Sequence, residues 1–455
     1  MSQKHPHDAP SPEKLKTDLD ALLGYAKAAG ATSADAIATH GRSLSVSVKD
    51  GSIEDVDSSE GRDIGLRVMV GKRMSCVSSS DASKASLELL AQRAVAMAKL
   101  APEDPYSALP DTQLLATSIP DLDLLDASVT DINGMTNTAR EIEAAAMAVK
   151  NVQQAEGASA SASQSAMYYC SSDGFGAGYR ASRFGRSVAA IASDGEGMER
   201  DYDMTNGRHL DQLKSAAEIG TKAGERVTAR LGGAQVASGT FNVMFDRRIA
   251  GSMLSALSGA ISGPAITRGT SFLREKLGEV VFAKGITVTD NPFVERGRGS
   301  RPFDGEGLPG KSYNIINDGV LTTWLLNTSS GLQLGLPSTG HAYRNISSPP
   351  AVASTNLTMT AGARSVEQIM ADIGNGLLIT EMFGPSLNRN TGDYSVGVSG
   401  YKIEGGVRTT PVREITVAGN LIDIFARLEP ASDLKIESAT STPSLLLGPM
   451  TVAGA

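Results

Sequence analysis

The run from Phe241 to Leu273 narrows the possible folds more than any other part of this 455-residue chain. Phe241 to Phe245 is an apolar run short enough to be one buried strand. Asp246 follows as a helix N-cap, and Ile249, Met253, Leu254 and Leu257 recur at helical spacing until Gly263-Pro264 stops the pattern. A strand feeding a helix through a polar corner is a common mount for an active site, and this corner reads Asp246-Arg247-Arg248. Both guanidinium groups then lie in the first helical turn, where the dipole disfavours cations. The misfit implies an acidic partner: a carboxylate of the same chain, or an acidic group of another subunit or of a bound peptide.

The chain is too long for one compact core and should divide into two or three domains. Residues 1–12 have no apolar signal core and read as a disordered tail, with His5 and His7 solvated in it. Residues 13–104 alternate helix and strand signals: a helix from Ser11-Pro12 to Gly30, strands at Asp35–Thr39, Leu44–Val48, Ile53–Val56, Ile64–Val70 and Met74–Val77, then a helix from about Ala82 to Leu100. Residues 105–232 open with a Pro- and Asp-rich connector. A helix over Ile132–Val149, an alternating Ser/Ala stretch and a helix over Leu210–Leu231 follow, forming a central α/β segment that packs with the first. Residues 233–455 carry many short strands cut by Gly, Pro and hairpin signals such as Asn317-Asp318-Gly319 and Glu404-Gly405-Gly406. The expected class is α+β: N-terminal α/β structure followed by a β-rich, sandwich- or barrel-like C-terminal domain with the Asp246 helix packed on it.

A formal charge of −8 argues against nucleic acid as the main partner. The basic run Arg296-Gly-Arg298-Gly-Ser-Arg301 reads as a solvated loop. No stretch approaches the roughly 20 apolar residues of a membrane helix. Cys76 and Cys170 stand far apart with no CxxC, which fits reduced thiols and a cytoplasmic protein. A zinc hydrolase needs about three ligands and a base. His40, His209 and His341 are scattered, and no HExxH is present. Asp304-Gly-Glu306-Gly and Asp393 interleave carboxylates with glycine. That pattern serves either a hard cation, and so a stand-alone metal-dependent peptidase, or simply tight turns. His341 is a candidate for facing a substrate chamber or for bonding within its own loop.

Six motifs then fall in order: Met198-Glu-Arg-Asp-Tyr202, Arg301-Pro-Phe-Asp-Gly-Glu-Gly307, Asp318-Gly-Val-Leu-Thr-Thr-Trp324, Ser338-Thr-Gly-His-Ala342, Thr391-Gly-Asp-Tyr-Ser395 and Glu414-Ile-Thr-Val-Ala-Gly-Asn420. Together they make the chain resemble the TldD/PmbA family from about Ala21 to Gly454, closest to its PmbA/TldE-type members. The resemblance implies a cytoplasmic bacterial peptidase of two similar subunits that admits unfolded peptides, associated with peptide-antibiotic maturation and antitoxin degradation. An older label in this family is modulator of DNA gyrase. The TldD-type subunit carries zinc on an HExxxH helix, with a cysteine near the C-terminus. Carried onto this chain, the first His falls on Arg247, the Glu on Arg248 and the second His on Ser252, while residues 437–447 contain no Cys. The resemblance therefore implies a subunit with no catalytic or metal-binding residues of its own, partnered by a zinc-bearing TldD-like chain or forming a homodimer when alone. Arg247, Arg248, Asp304, Glu306, His341 and Asp393 are the candidate substrate or partner contacts. Glycine-rich strands of the C-terminal half are expected to accept peptide by strand addition, if an edge is free. A regulatory binding protein is the remaining alternative.

Overall fold

The computed structural model describes residues 11–128 and 130–455, so the tail assigned to residues 1–12, with His5 and His7, lies outside the described residues but for Ser11 and Pro12. Pro12 opens α1 (Pro12–Ala29) with its fixed φ, and Gly30 closes it at φ 104°. The expected strands at Asp35–Thr39 and Leu44–Val48 are one continuous strand, β1 (Ser33–Lys49), and those at Ile53–Val56 and Ile64–Val70 are likewise one, β2 (Ser52–Val70). They pair antiparallel along their whole length, with Gly41 opposite Gly61. Hydrophobic alternation lapses in mid-strand because residues 52–61 of β2 are exposed throughout, leaving ladder hydrogen bonds as the continuous element.

Next come β3 (Arg73–Ser79), α2 (Lys84–Leu100), α3 (Ile132–Met147), β4 (Val152–Ser171), β5 (Gly176–Ser193), β6 (Met198–Gly207) and α4 (Ala216–Thr228). α4 is shorter than the helix expected over Leu210–Leu231, because Ser215 and Glu218 form a capping box that fixes its start. The six strands make one antiparallel sheet in the order β3-β2-β1-β4-β5-β6, joined at its centre by β1 and β4. Leu15, Leu19 and Leu22 of α1 pack with Leu87, Leu90 and Ala94 of α2 over Ala36, Ile64 and Leu66. Ile142 of α3 and Ile219, Ala223 and Val227 of α4 cover Val188 and Ala190. The helices approach closely because Gly220 of α4 lies where a Cβ would come within 2.2 Å of the Ile142 carbonyl oxygen.

The C-terminal part resolves as a barrel. β7 (Gly239–Phe245) pairs in parallel with β8 (Gly376–Leu387), which continues antiparallel to β9 (Asp393–Glu404) and β10 (Val407–Asn420). β11 (Leu445–Ala453) pairs with β7 on one side, and through Thr451–Ala453 with Thr416–Ala418 of β10 on the other, closing five strands. Closure pairs β10 with β11 over those three residues of each strand, so strand addition in this part would need an edge outside them. The open edges of the N-terminal sheet are β3, β6 and the outer half of β2. A second sheet in this part takes strands 288–290, 313–317, 320–321, 357–359 and 440–441. At its Asn317-Asp318-Gly319 turn both Asp318 and Gly319 have positive φ, as a type I′ hairpin demands. Among the described residues, no helix is long and apolar enough to cross a membrane.

Candidate functional site

Asp246 caps α5 (Arg247–Ala260): it leaves β7 in extended conformation, and its carboxylate accepts the Arg248 N–H at 2.9 Å. Ala250, Met253, Leu254, Leu257 and Ala260 form the buried stripe, with each large side chain contributing about 2 kcal/mol by burial. At Gly251 the helix runs beside the C-terminal stretch, where even a Cβ would stand at ordinary contact distance, 3.5 Å, from the Thr440 carbonyl oxygen. Residues 437–447 therefore pass alongside the first turns of α5. The Arg247 N–H donates to Ser444 Oγ at 3.1 Å, and the Arg247 guanidinium pairs with Glu437 at 2.7 Å.

Arg248 turns toward the N-terminal sheet. Its guanidinium donates to Asp201 of β6 at 2.8 Å and lies over the Tyr202 ring, 4.9 Å from the centroid. Burial opposes its charge, but the Asp201 hydrogen bond and charge outweigh burial and hold the guanidinium above its ordinary value. Alternation along β6 sends Glu199, Asp201 and Asp203 to one face. Against this comb stand Arg413 on Glu199 at 3.4 Å, Arg230 on Glu199 at 3.3 Å and on Glu381, and Arg226 on Asp203 at 2.6 Å. Both arginines of the corner thus find their acidic partners within the chain. These partners, Asp201 and Glu437, escaped sequence reasoning because they lie 47 and 190 residues from the arginines they hold. The available signal was the acidic alternation at 199, 201 and 203.

Ser252, one turn further on, is buried against the Tyr394 phenol, whose titration burial pushes up to about 12 against the Ser252 hydroxyl. Tyr394 belongs to the Thr391-Gly-Asp-Tyr-Ser395 motif, so that motif places a ring beneath α5. Its neighbour Asp393 points away. It accepts from Thr391 Oγ1 at 2.6 Å and Asn420 Nδ2 at 3.0 Å, and these bonds hold its carboxyl below the usual range.

Asp304 and Glu306 are buried between the N-terminal sheet and the C-terminal part. Asp304 does turn chemistry, accepting the N–H groups of Glu306, Leu308 and Ala342 at 2.9, 2.9 and 3.0 Å. Glu306 accepts the Thr328 N–H at 2.8 Å and lies 3.9 Å from Arg67, which is hydrogen-bonded to Asp35; Arg344 binds the other oxygen of Asp35 at 3.2 Å. Burial pushes the Glu306 carboxyl up to about 7, against the pull of Arg67 and with added repulsion from Asp304. His341 is locked between Asp290 at 2.9 Å and Thr339 at 2.8 Å, away from His40, which bonds Glu60, and His209, which bonds the Asp123 carbonyl. Among the described residues, no group of three or more His, Cys, Asp or Glu side chains is placed to hold a metal ion, so Asp304, Glu306 and Asp393 do not assemble into one site.

Beside the α5 cap lies a pocket of about 460 Å³ lined by Asp246, Met370, Leu378, Arg408, Asp433 and Ser444. The first turn of α5, the C-terminal stretch and β6 thus converge on one corner, with that pocket behind it.

Three family profiles match in sequence order: PmbA/TldA metallopeptidase domain 1 over residues 34–98, the central domain over 123–231 and the C-terminal domain over 238–454. The metalloprotease PmbA of Escherichia coli O157:H7 is 33% identical over 413 residues, 90% of each chain. A PmbA homologue of Haemophilus influenzae is 32% identical over 97% of this chain and 96% of its own. A Bacteroides thetaiotaomicron crystal structure, labelled a candidate modulator of DNA gyrase, superposes with a TM-score of 0.89 at 25% identity, covering 97% of this chain and 99% of its own. TldE from Thermococcus kodakarensis shares the fold, with a TM-score of 0.82 at 20% identity over 96% of this chain and all of its own. The chain belongs to the PmbA/TldD metallopeptidase family.

Proposed function

We propose that this chain is the TldE-type, non-catalytic subunit of a two-subunit cytoplasmic peptidase whose zinc resides in a TldD-like partner and whose substrates are unfolded peptides, such as antibiotic precursors and antitoxins. The observation that carries the reading is the first turn of α5, where both guanidinium groups are committed to Asp201 and Glu437. Arginine stays protonated, so Arg247 and Arg248 offer zinc no lone pair and a water molecule no base. Ser252 adds only a buried hydroxyl facing Tyr394, and residues 437–447, although alongside the helix, contain no thiol. The donor set does not fit a zinc ion. What these residues do is hold the corner rigid: Arg248 ties α5 to the N-terminal sheet, and Arg247 ties it to the C-terminal stretch.

Metal content tests this. The chain purified alone should contain near-zero zinc, and the complex with a co-expressed TldD-like chain about one zinc per pair. The partner should cleave unfolded peptide poorly without this chain. Stoichiometric metal on the isolated chain, or full activity of the partner alone, would overturn the assignment. Capture of gyrase in place of a TldD-like chain would favour a regulatory role.

A further inference from the structure

Arg67, Arg230, Arg248 and Arg344, buried or largely so, each meet a carboxylate. One cluster breaks that pattern. Arg183 on β5, Arg208 just beyond β6, and Arg298 and Arg301 on the loop before Asp304 gather where the N-terminal sheet meets the C-terminal part. Arg208 fixes the geometry by donating to the Ser182 carbonyl at 3.3 Å and the Arg298 carbonyl at 3.1 Å, while Arg298 reaches back to the Asn206 carbonyl. Arg301 donates to the Ala353 carbonyl at 3.2 Å. Among the described residues none of the four is within ion-pairing distance of a carboxylate, although Asp304 attracts Arg301 and Glu437 attracts Arg298 from farther off, and the Nε atoms of Arg208 and Arg301 are buried without a partner. Arg296, in the same loop, shows the contrast: it is held by Asp123 at 2.6 Å and Asp211 at 3.1 Å.

Gathering four cations whose nearest carboxylates, Asp304 and Glu437, stand beyond ion-pairing distance costs free energy, and the local chemistry registers it. Burial, with Arg183 adding to it, pushes the Arg208 guanidinium below its ordinary value despite Tyr179; burial and Arg183 do the same to Arg298 despite Glu437. An anion on the cluster would relieve that cost. Glu437 is also the partner of Arg247, so the cluster borders the α5 corner. Several guanidinium forks presented from separate elements match carboxylates, each able to engage two N–H groups. A nucleic-acid strand fits less well. It would need a basic stripe, whereas the same sheet carries Glu54, Asp55, Asp57 and Glu60 on the exposed half of β2 and the chain has a net charge of −8.

We propose that Arg183, Arg208, Arg298 and Arg301 form a carboxylate-binding site that selects acidic segments of extended polypeptide and seats them beside the first turn of α5. This rests on the reading that the chain docks unfolded peptide, and it names the preferred class of that peptide.

The test is fluorescence anisotropy on the full chain without a partner, using labelled peptides of alternating Glu and Ser or alternating Lys and Ser, and a short single-stranded DNA. The Glu/Ser peptide should bind at least tenfold tighter than either other probe. Its affinity should fall about tenfold in an Arg183→Gln/Arg298→Gln variant, the loss expected for charge-assisted hydrogen bonds, and should weaken steeply with salt. Arg389→Gln, at an exposed arginine outside the cluster, should change nothing, and circular dichroism should show the double variant folded. Equal affinity for the Glu and Lys peptides, an unaffected double variant, or tighter DNA binding would overturn the proposal. If zinc partitions to the partner but acidic peptide is not preferred, only this inference falls. If acidic peptide is preferred while the isolated chain carries zinc, only the subunit assignment falls.

Discussion

Replacing Glu306 by Gln isolates the energetic cost of a buried carboxylate at the seam between the two halves. Glu306 is 1% exposed, and its carboxyl titrates near 7 in the fold against an ordinary value of 4.5. At about 1.4 kcal/mol for each tenfold change in proton affinity, that rise corresponds to ~3.5 kcal/mol. That figure already contains the attraction of Arg67 and the repulsion of Asp304. The sign follows from proton linkage. Between pH 4.5 and 7 the folded chain holds a proton on Glu306 that the unfolded chain has released, so stability declines as pH rises through that window and reaches its full loss above 7. Gln preserves an oxygen for the Thr328 N–H, 2.8 Å away, and cannot ionise. Urea denaturation at pH 5 and pH 8 should therefore show the variant gaining on the natural chain by ~2.5 kcal/mol between the two conditions, most of the full difference because pH 5 lies just above the unfolded value. Parallel pH dependence of the two proteins would refute the reasoning, because Glu306 would then be ionised throughout and stabilised by Arg67.

Other perturbations give distinct readouts. Arg248→Ala leaves Asp201 with the Tyr202 N–H at 2.7 Å and Arg230 at 3.6 Å, and denaturant titration should register a loss of about 2–3 kcal/mol, less than for a pair broken with no second cation nearby. Gly65→Ala would drive a Cβ to within 1.9 Å of the Ile346 carbonyl oxygen, so it should lower the thermal midpoint sharply and increase proteolysis of the 342–348 loop; an unchanged midpoint would contradict the packing. The Cys170 thiol, buried and pushed up to about 12, should stay unreactive toward a disulfide reagent at pH 8 until the chain is unfolded. Thiol release in the native state at the rate of a free cysteine would contradict its placement.

Local chemistry made much of this fold legible. Asp246 with the Ile249/Met253/Leu257 spacing placed α5, and Ser11-Pro12 with Gly30 bounded α1, because caps and periodicity act within a few residues. What escaped was long-range. Nothing near Leu44 or Val56 revealed that β1 and β2 each run on unbroken, since the ladder that unites them is backbone to backbone. Arg247 and Arg248 announced a need for acid, but not that Glu437 and Asp201 would meet it. Asp304 and Glu306 look alike in sequence and differ in the structure: one is saturated by turn N–H groups, the other faces Arg67 across a buried seam. The loop at 296–301 read as solvated, whereas Arg298 and Arg301 are partly buried beside β5, and only the tertiary arrangement brings Arg183 and Arg208 next to them.

The central seam of the N-terminal sheet also sets a timetable. β1 pairs with β4 from Asp35 opposite Ser171 to Val48 opposite Ala158, so the partner strand leaves the ribosome more than a hundred residues after β1 does. At about 10 residues per second, the interior edge of β1 waits on the order of ten seconds with its amides unclaimed. During that interval the nascent chain offers a ready template for a foreign strand, and the serines at 43, 45 and 47 keep one face of that template polar.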